Sequence, residues 1–102
     1  MNMKDSTIDY VFSAEKNQIL LQERGISFEE IILAIHDAER LLEIIHHPNQ
    51  KKYPNQKMYV VEVNEYVYLV PFVEEENTIF LKTIFPSREA KKKYFGGQHH
   101  DA

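Results

Sequence analysis

The chain has no cysteine. Disulfides, thiolate metal sites and cysteine nucleophiles are therefore excluded. Long apolar runs are absent as well. No stretch approaches the roughly 20 apolar residues that a membrane helix needs. The opening MNMKDSTIDY contains no apolar segment of signal-peptide length. The expected location is a reducing cytoplasm. No ligand spacing for a metal site is present, and neither is a phosphate loop, a dinucleotide fingerprint or a nucleophile elbow, so no metal or cofactor is expected. No repeat, low-complexity tract or linker divides the chain. Positive charge is in short supply: 12 Lys and Arg stand against 16 Asp and Glu, for a formal net charge of -4. A protein that coats nucleic acid is usually basic, because phosphate neutralisation supplies most of its affinity. A local basic site on an acidic body remains compatible with a small nuclease.

The length of 102 residues suits one domain with one core, expected over 1–97, with a frayed tail at 98–102. A short first strand is expected over 8–12, where aromatic and β-branched residues cluster. Ser13 caps a helix running to about Arg24, and Gly25 is placed as its left-handed terminator. Ser27-Phe28-Glu29-Glu30 reads as a capping box for a second helix reaching Ala38, with Phe28, Ile31, Ile32 and Ile35 on one apolar stripe.

From Leu41 the pattern changes. Residues 41–46 favour a strand, and 47–56, rich in Pro, Asn and Lys, form a loop. Strands are expected over 58–63, 66–73 and 78–85, joined by the turns Asn64-Glu65 and 74–77 in an antiparallel meander. The first of these turns lacks the Gly that a type I′ hairpin favours. A final helix spans 87–95, closed by Gly96-Gly97. The predicted fold is α+β: a small two-layer domain with an antiparallel sheet of three to five strands, two N-terminal helices and one C-terminal helix. The helices are expected on one sheet face, leaving the other partly open.

The cations gather late in this acidic chain, and that segregation points to a local anion site. Ser87 and Arg88 open the last helix, where backbone amides and the dipole favour an anion, and Lys91, Lys92 and Lys93 follow. Arg88 is suited to a bidentate grip on phosphate. Strand alternation puts Phe80, Lys82 and Ile84 on one side of the last strand and Ile79, Leu81, Thr83 and Phe85 on the other. Lys82 then faces Glu62 if register agrees, either as a plain cross-strand ion pair or as part of a site. His47 and Lys52 lie in the middle loop, with Lys57 beside it; each histidine there is either an exposed polar group or an acid/base. Tyr53, Tyr59, Tyr66 and Tyr68 offer stacking surfaces for bases, or simply pack.

Two segments resemble a known family. Phe12-Ser13-Ala14-Glu15-Lys16-Asn17 followed by Arg24-Gly25-Ile26-Ser27-Phe28-Glu29-Glu30 is similar to the opening of BrnT-type toxins, F-x-W-D-x-x-K-N then K-H-G-(V/I)-S-F-E-E. Pro86-Ser87-Arg88-Glu89-Ala90 with Tyr94 resembles their closing segment, I-S-A-R-x-A followed by Tyr. The resemblance covers both ends of the chain. It implies a RelE-like fold and the ribonuclease toxin of a bacterial type II toxin–antitoxin pair, whose antitoxin is a small DNA-binding protein encoded in the same operon. Lys16, Asn17, Gly25, Ser27, Phe28 and Glu29 match the opening motif; Arg88, Ala90 and Tyr94 match the closing one.

Under this reading Arg88 and Lys82 stabilise phosphate charge while His47, Lys52 or Glu62 moves protons. Lys57, Tyr59, Tyr68, Ser87 and Lys92 bind the RNA. The alternative is a non-catalytic interaction domain whose acidic first helices bind a basic partner, or an inactive relative of the toxins.

Overall fold

The computed structural model describes residues 8–95. The expected Gly96-Gly97 terminator and the tail beyond it lie outside the described residues. The elements run β1 (Asp9–Val11), α1 (Ala14–Arg24), α2 (Phe28–Ile35), β2 (Leu41–His46), β3 (Lys57–Val63), β4 (Tyr66–Glu75), β5 (Thr78–Leu81), β6 (Phe85–Pro86) and α3 (Arg88–Phe95). This is an α+β domain, as the element pattern implied.

Local chemistry sets the two helical boundaries. Ser13 accepts the Lys16 amide at the start of α1, and Gly25, at φ 69°, ends that helix by donating to the Leu21 carbonyl. Ser27 and Glu30 close a complete capping box at the start of α2. That helix stops at Ile35, with His36 as its C-cap, short of the expected Ala38. The chain is then turned by Asp37, whose carboxylate accepts the Glu39 amide and pairs with Arg40.

The sheet has six strands in the order β1-β5-β4-β3-β2, with β6 also on β4. This exceeds the expected three to five, and β1 pairs parallel with β5 while the other pairings are antiparallel. The extra strand comes from the last predicted one, which breaks after Leu81. Lys82 still donates its amide to Pro71, but the chain leaves the ladder and returns as β6, pairing Phe85 with Leu69 and Pro86 with Tyr68. The break shifts the alternation: Ile84 joins Ile79 and Leu81 in the core instead of sharing a side with Lys82.

The core lies between the sheet and the α1–α2 pair. Leu20, Ile26, Phe28, Ile31, Ala34 and Ile35 pack on Tyr59, Val61, Val63, Val70 and Phe72. Burial of such side chains contributes about 1.5–3 kcal/mol each and dominates stability. The opposite sheet face carries Met58, Val60 and Val67, all buried outside that cluster. It is α3 that covers this face, so the third helix does not join the first two. Ala90, Lys93 and Tyr94 of α3 meet Glu43, Ile45, Met58, Val60 and Leu69 around a groove of ≈ 350 Å³.

Candidate nucleic-acid interface

The start of α3 is stitched to the sheet. The Ser87 amide donates to the Val67 carbonyl at 3.0 Å. The Ser87 hydroxyl accepts the Ala90 amide at 3.0 Å, and its carbonyl accepts the Lys91 amide at 3.0 Å. Ser87 is therefore the N-cap of α3 and is spent on holding the helix. Glu89 already supplies negative charge to this helix end. A phosphate here would be gripped mainly by side chains.

Helical spacing sorts those side chains. Arg88, Lys91 and Lys92 stand at i, i+3 and i+4 and form one stripe. Glu89, Ala90, Lys93 and Tyr94 take the side that lines the groove. On the groove side Glu43 of β2 accepts a bond from the Tyr94 hydroxyl and pairs with Lys93 at 3.3 Å. These bonds, the Tyr94 one first, hold the Glu43 carboxyl below its ordinary value. Burial, then the bond to Glu43, pushes the Tyr94 phenol up to about 12.

On the other side the Lys91 ammonium lies 4.7 Å from the Tyr66 ring centroid, and Tyr66 leans on Tyr68 at 5.6 Å. Arg88 and Lys92 are exposed, and neither forms an ion pair among the described residues. The nearby β3–β4 hairpin turns through Asn64 and Glu65 with positive φ of 55° and 66°, a type I′-like pair made without glycine. Glu62 sits opposite Val67, on the sheet face that α3 covers. That places it two strand spacings, about 10 Å, from Ser87.

The remaining candidates do not converge here. Lys82 is not opposite Glu62: its amide binds Pro71, and its ammonium lies 4.4 Å from the Phe80 ring centroid. Pro71 and Val67 are four residues apart on β4, so Lys82 and the start of α3 are separated by about 13 Å along the strand. His47 and Lys52 belong to a loop closed on itself at the far end of the sheet. The His47 amide donates to Gln56, its Nδ1 accepts the Asn49 amide at 3.0 Å, and its ring packs on Tyr53. The Lys52 ammonium lies 5.4 Å from the Tyr53 centroid.

Lys57, at the same end, lines a cleft of ≈ 510 Å³ with His46, Phe72 and the acidic hairpin Glu74 to Glu76. Tyr59 is no stacking surface. It is 5% exposed, stacked on Phe72 at 4.1 Å, and its phenol is pushed up by burial. Tyr68 is half-buried against the α1–α2 core, away from the α3 face. Among the described residues, no group of three or more His, Asp or Glu side chains is placed to hold a metal ion.

Most motif residues prove structural. Asn17 is buried; its Oδ1 accepts the Phe28 amide at 2.7 Å and its Nδ2 donates to Glu29 at 2.8 Å. That second bond is the main reason the Glu29 carboxyl titrates below its ordinary value. Gly25 and Ser27 make the αα corner, Phe28 fills the core, Ala90 packs over the groove and Tyr94 anchors on Glu43. Lys16 and Arg88 are the two cations among them, and both keep exposed heads without an ion pair among the described residues.

Among the contacts sequence reasoning missed are Glu43 with Tyr94 and Tyr10 with His36 at 2.9 Å. No local signal marks either, since the partners are 51 and 26 residues apart. No protein-family model and no curated protein sequence matches this chain.

Proposed function

We propose that this chain is the toxin of a bacterial type II toxin–antitoxin pair of the BrnT type it resembles, an endoribonuclease that cleaves mRNA in the cytoplasm by acid–base chemistry. The observation that carries the reading is the stripe of Arg88, Lys91 and Lys92 beside Tyr66, at a helix start pinned to the sheet. In this reading Arg88 grips the scissile phosphate, Lys91 and Lys92 follow the backbone, and Tyr66 offers its ring edge to a base. Glu62 is the one proposed proton carrier on the same sheet face and end as Arg88. The partner is a small DNA-binding antitoxin that shields this stripe.

The test is induced expression in a bacterial host, with growth arrest and mRNA decay as readouts. Arg88→Ala relieves the arrest at matched expression and weakens RNA binding by about 1.5–3 kcal/mol, the worth of a charge-assisted hydrogen bond. Purified protein cleaves a defined RNA with EDTA present. Arrest by the variant equal to wild type refutes the role of Arg88.

A second reading has one observation in its favour. His47 and Lys52 lie at the sheet end opposite Arg88, so the groups first proposed to share the chemistry are split. A non-catalytic interaction domain, with acidic first helices turned to a basic partner, needs no such convergence. RNA left intact by the wild-type protein, together with an unaffected host, would select it.

A further inference from the structure

Strand β2 is an edge of the sheet. Among the described residues it has a neighbour only in β3, so its outer row of backbone amides and carbonyls is unpaired. Edge strands are usually guarded by brevity, proline, lysine, inward charge or a bulge. At the other edge β1 is three residues long and begins with Asp9. β2 is six residues long, LLEIIH, and holds neither proline nor lysine. Its bulge is confined to the Leu41/Glu43 step, leaving a regular ladder from Glu43 to His46. Its one carboxylate, Glu43, is drawn onto Lys93 and Tyr94 of the same chain. Ile44 meanwhile stands 51% exposed.

We propose that a second copy of this chain pairs with the outer edge of β2, antiparallel and centred on Ile44, so that two sheets continue as one. The register follows from the faces. A two-fold axis normal to the sheet sets Ile44 against its own copy and Glu43 against Ile45 of the other chain, so no like charges meet directly. Charge complementarity selects the antiparallel sense and the self-pairing. β2 enters from Asp37 and Glu39 and leaves toward Lys51 and Lys52. Antiparallel pairing lays the acidic entry of each copy beside the basic exit of the other, twice per dimer, whereas a parallel pair would set like beside like. Asp37 also carries the Arg40 pair, so Glu39 is the freer acid.

The experiment is sedimentation velocity on the full chain over a concentration series, at low and at high salt. Wild type is expected to move from one chain mass to two as concentration rises, with the midpoint shifting upward at high salt. Ile44→Lys places a charge on the axis and is expected to remain one chain mass throughout, with an unchanged circular dichroism spectrum, because this side chain is half exposed and outside the core cluster. The Lys51→Glu/Lys52→Glu variant weakens self-association, and mixing it with Glu39→Lys restores a mixed dimer. A wild type of one chain mass at every concentration overturns the proposal, as does a dimer that survives Ile44→Lys. If Ile44→Lys fails to fold, the charge-reversal pair decides: no loss, or no restoration on mixing, counts equally against it.

Discussion

Asn17→Ala is expected to be among the costliest substitutions of a polar residue in this protein. Asn17 is 7% exposed and serves the first amide of α2, that of Phe28, a residue 0% exposed. Truncation leaves that amide buried with no acceptor, a loss of about 1–3 kcal/mol. The bond to Glu29 is charge-assisted, but Glu29 is exposed, so solvent screening reduces its loss to about 0.5–1 kcal/mol. The sum, about 1.5–4 kcal/mol, is a large part of the 5–15 kcal/mol typical of a domain. With a urea slope of about 2 kcal/mol/M, the unfolding midpoint falls by about 0.8–2 M.

The pH dependence separates the two contributions. The Glu29 carboxyl titrates below its ordinary 4.5 in the folded state. Its share is therefore fully present above that pH and is lost as pH falls through the folded value. The difference between wild type and variant narrows in acid but does not vanish, because the Phe28 amide does not titrate. Asn17→Asp keeps an acceptor for that amide yet sets two carboxylates together, so acid partly restores it. A midpoint shift under about 0.3 M for Asn17→Ala would refute the account.

The other expectations are simpler to check. Gly25→Ala meets no atom within 4 Å, so its cost is that of an alanine at φ 69°, about 1 kcal/mol and several degrees of melting temperature; a loss above about 3 kcal/mol would show a clash the geometry does not contain. Glu43→Gln keeps an acceptor for the Tyr94 hydroxyl but removes the carboxylate charge that helps raise the phenol, so spectrophotometric titration should find it ionising below about 12 yet above the ordinary 10.0, since burial remains. In the wild type Glu43 itself titrates below 4.5, so its hold on α3 is intact above that pH and weakens as acid protonates it; Tyr94 resonances followed by NMR report the release. His47→Ala should leave growth arrest unchanged, because His47 lies at the sheet end away from Arg88; arrest lost to the same degree as in Arg88→Ala would mean that both ends serve one substrate.

What could be read from the sequence was local. The Ser27–Glu30 box, the Gly25 terminator and the Phe28, Ile31, Ile35 stripe depend on residues within a few positions of each other, and all three stand in the fold. Non-local pairing decided the rest. Residues 78–85 alternate well enough for one strand, and nothing in TIFLKTIF signals that β4 accepts β5 and β6 in turn. The side of the sheet that α3 would cover was equally hidden, because its capping and spacing are the same on either face. For that reason Tyr59 and Tyr68 read as possible stacking surfaces until register placed them toward α1 and α2. The proton carriers were gathered by type, and register then separated Glu62 from Lys82.

Helix α3 contributes no fully buried residue, although it roofs Met58, Val60 and Val67. Its attachment rests on the Ser87 cap, the Glu43 pair and a few half-buried side chains. The α1–α2 layer holds the main core independently. Local opening of α3 therefore costs less than global unfolding, and its amides should exchange with solvent through a shallower process than those of β3 and β4. Arg88 thus stands on the least secured helix of the domain. Anything that binds Arg88 and Tyr66 together would bind only the closed form, and its binding free energy would appear as slowed exchange along α3.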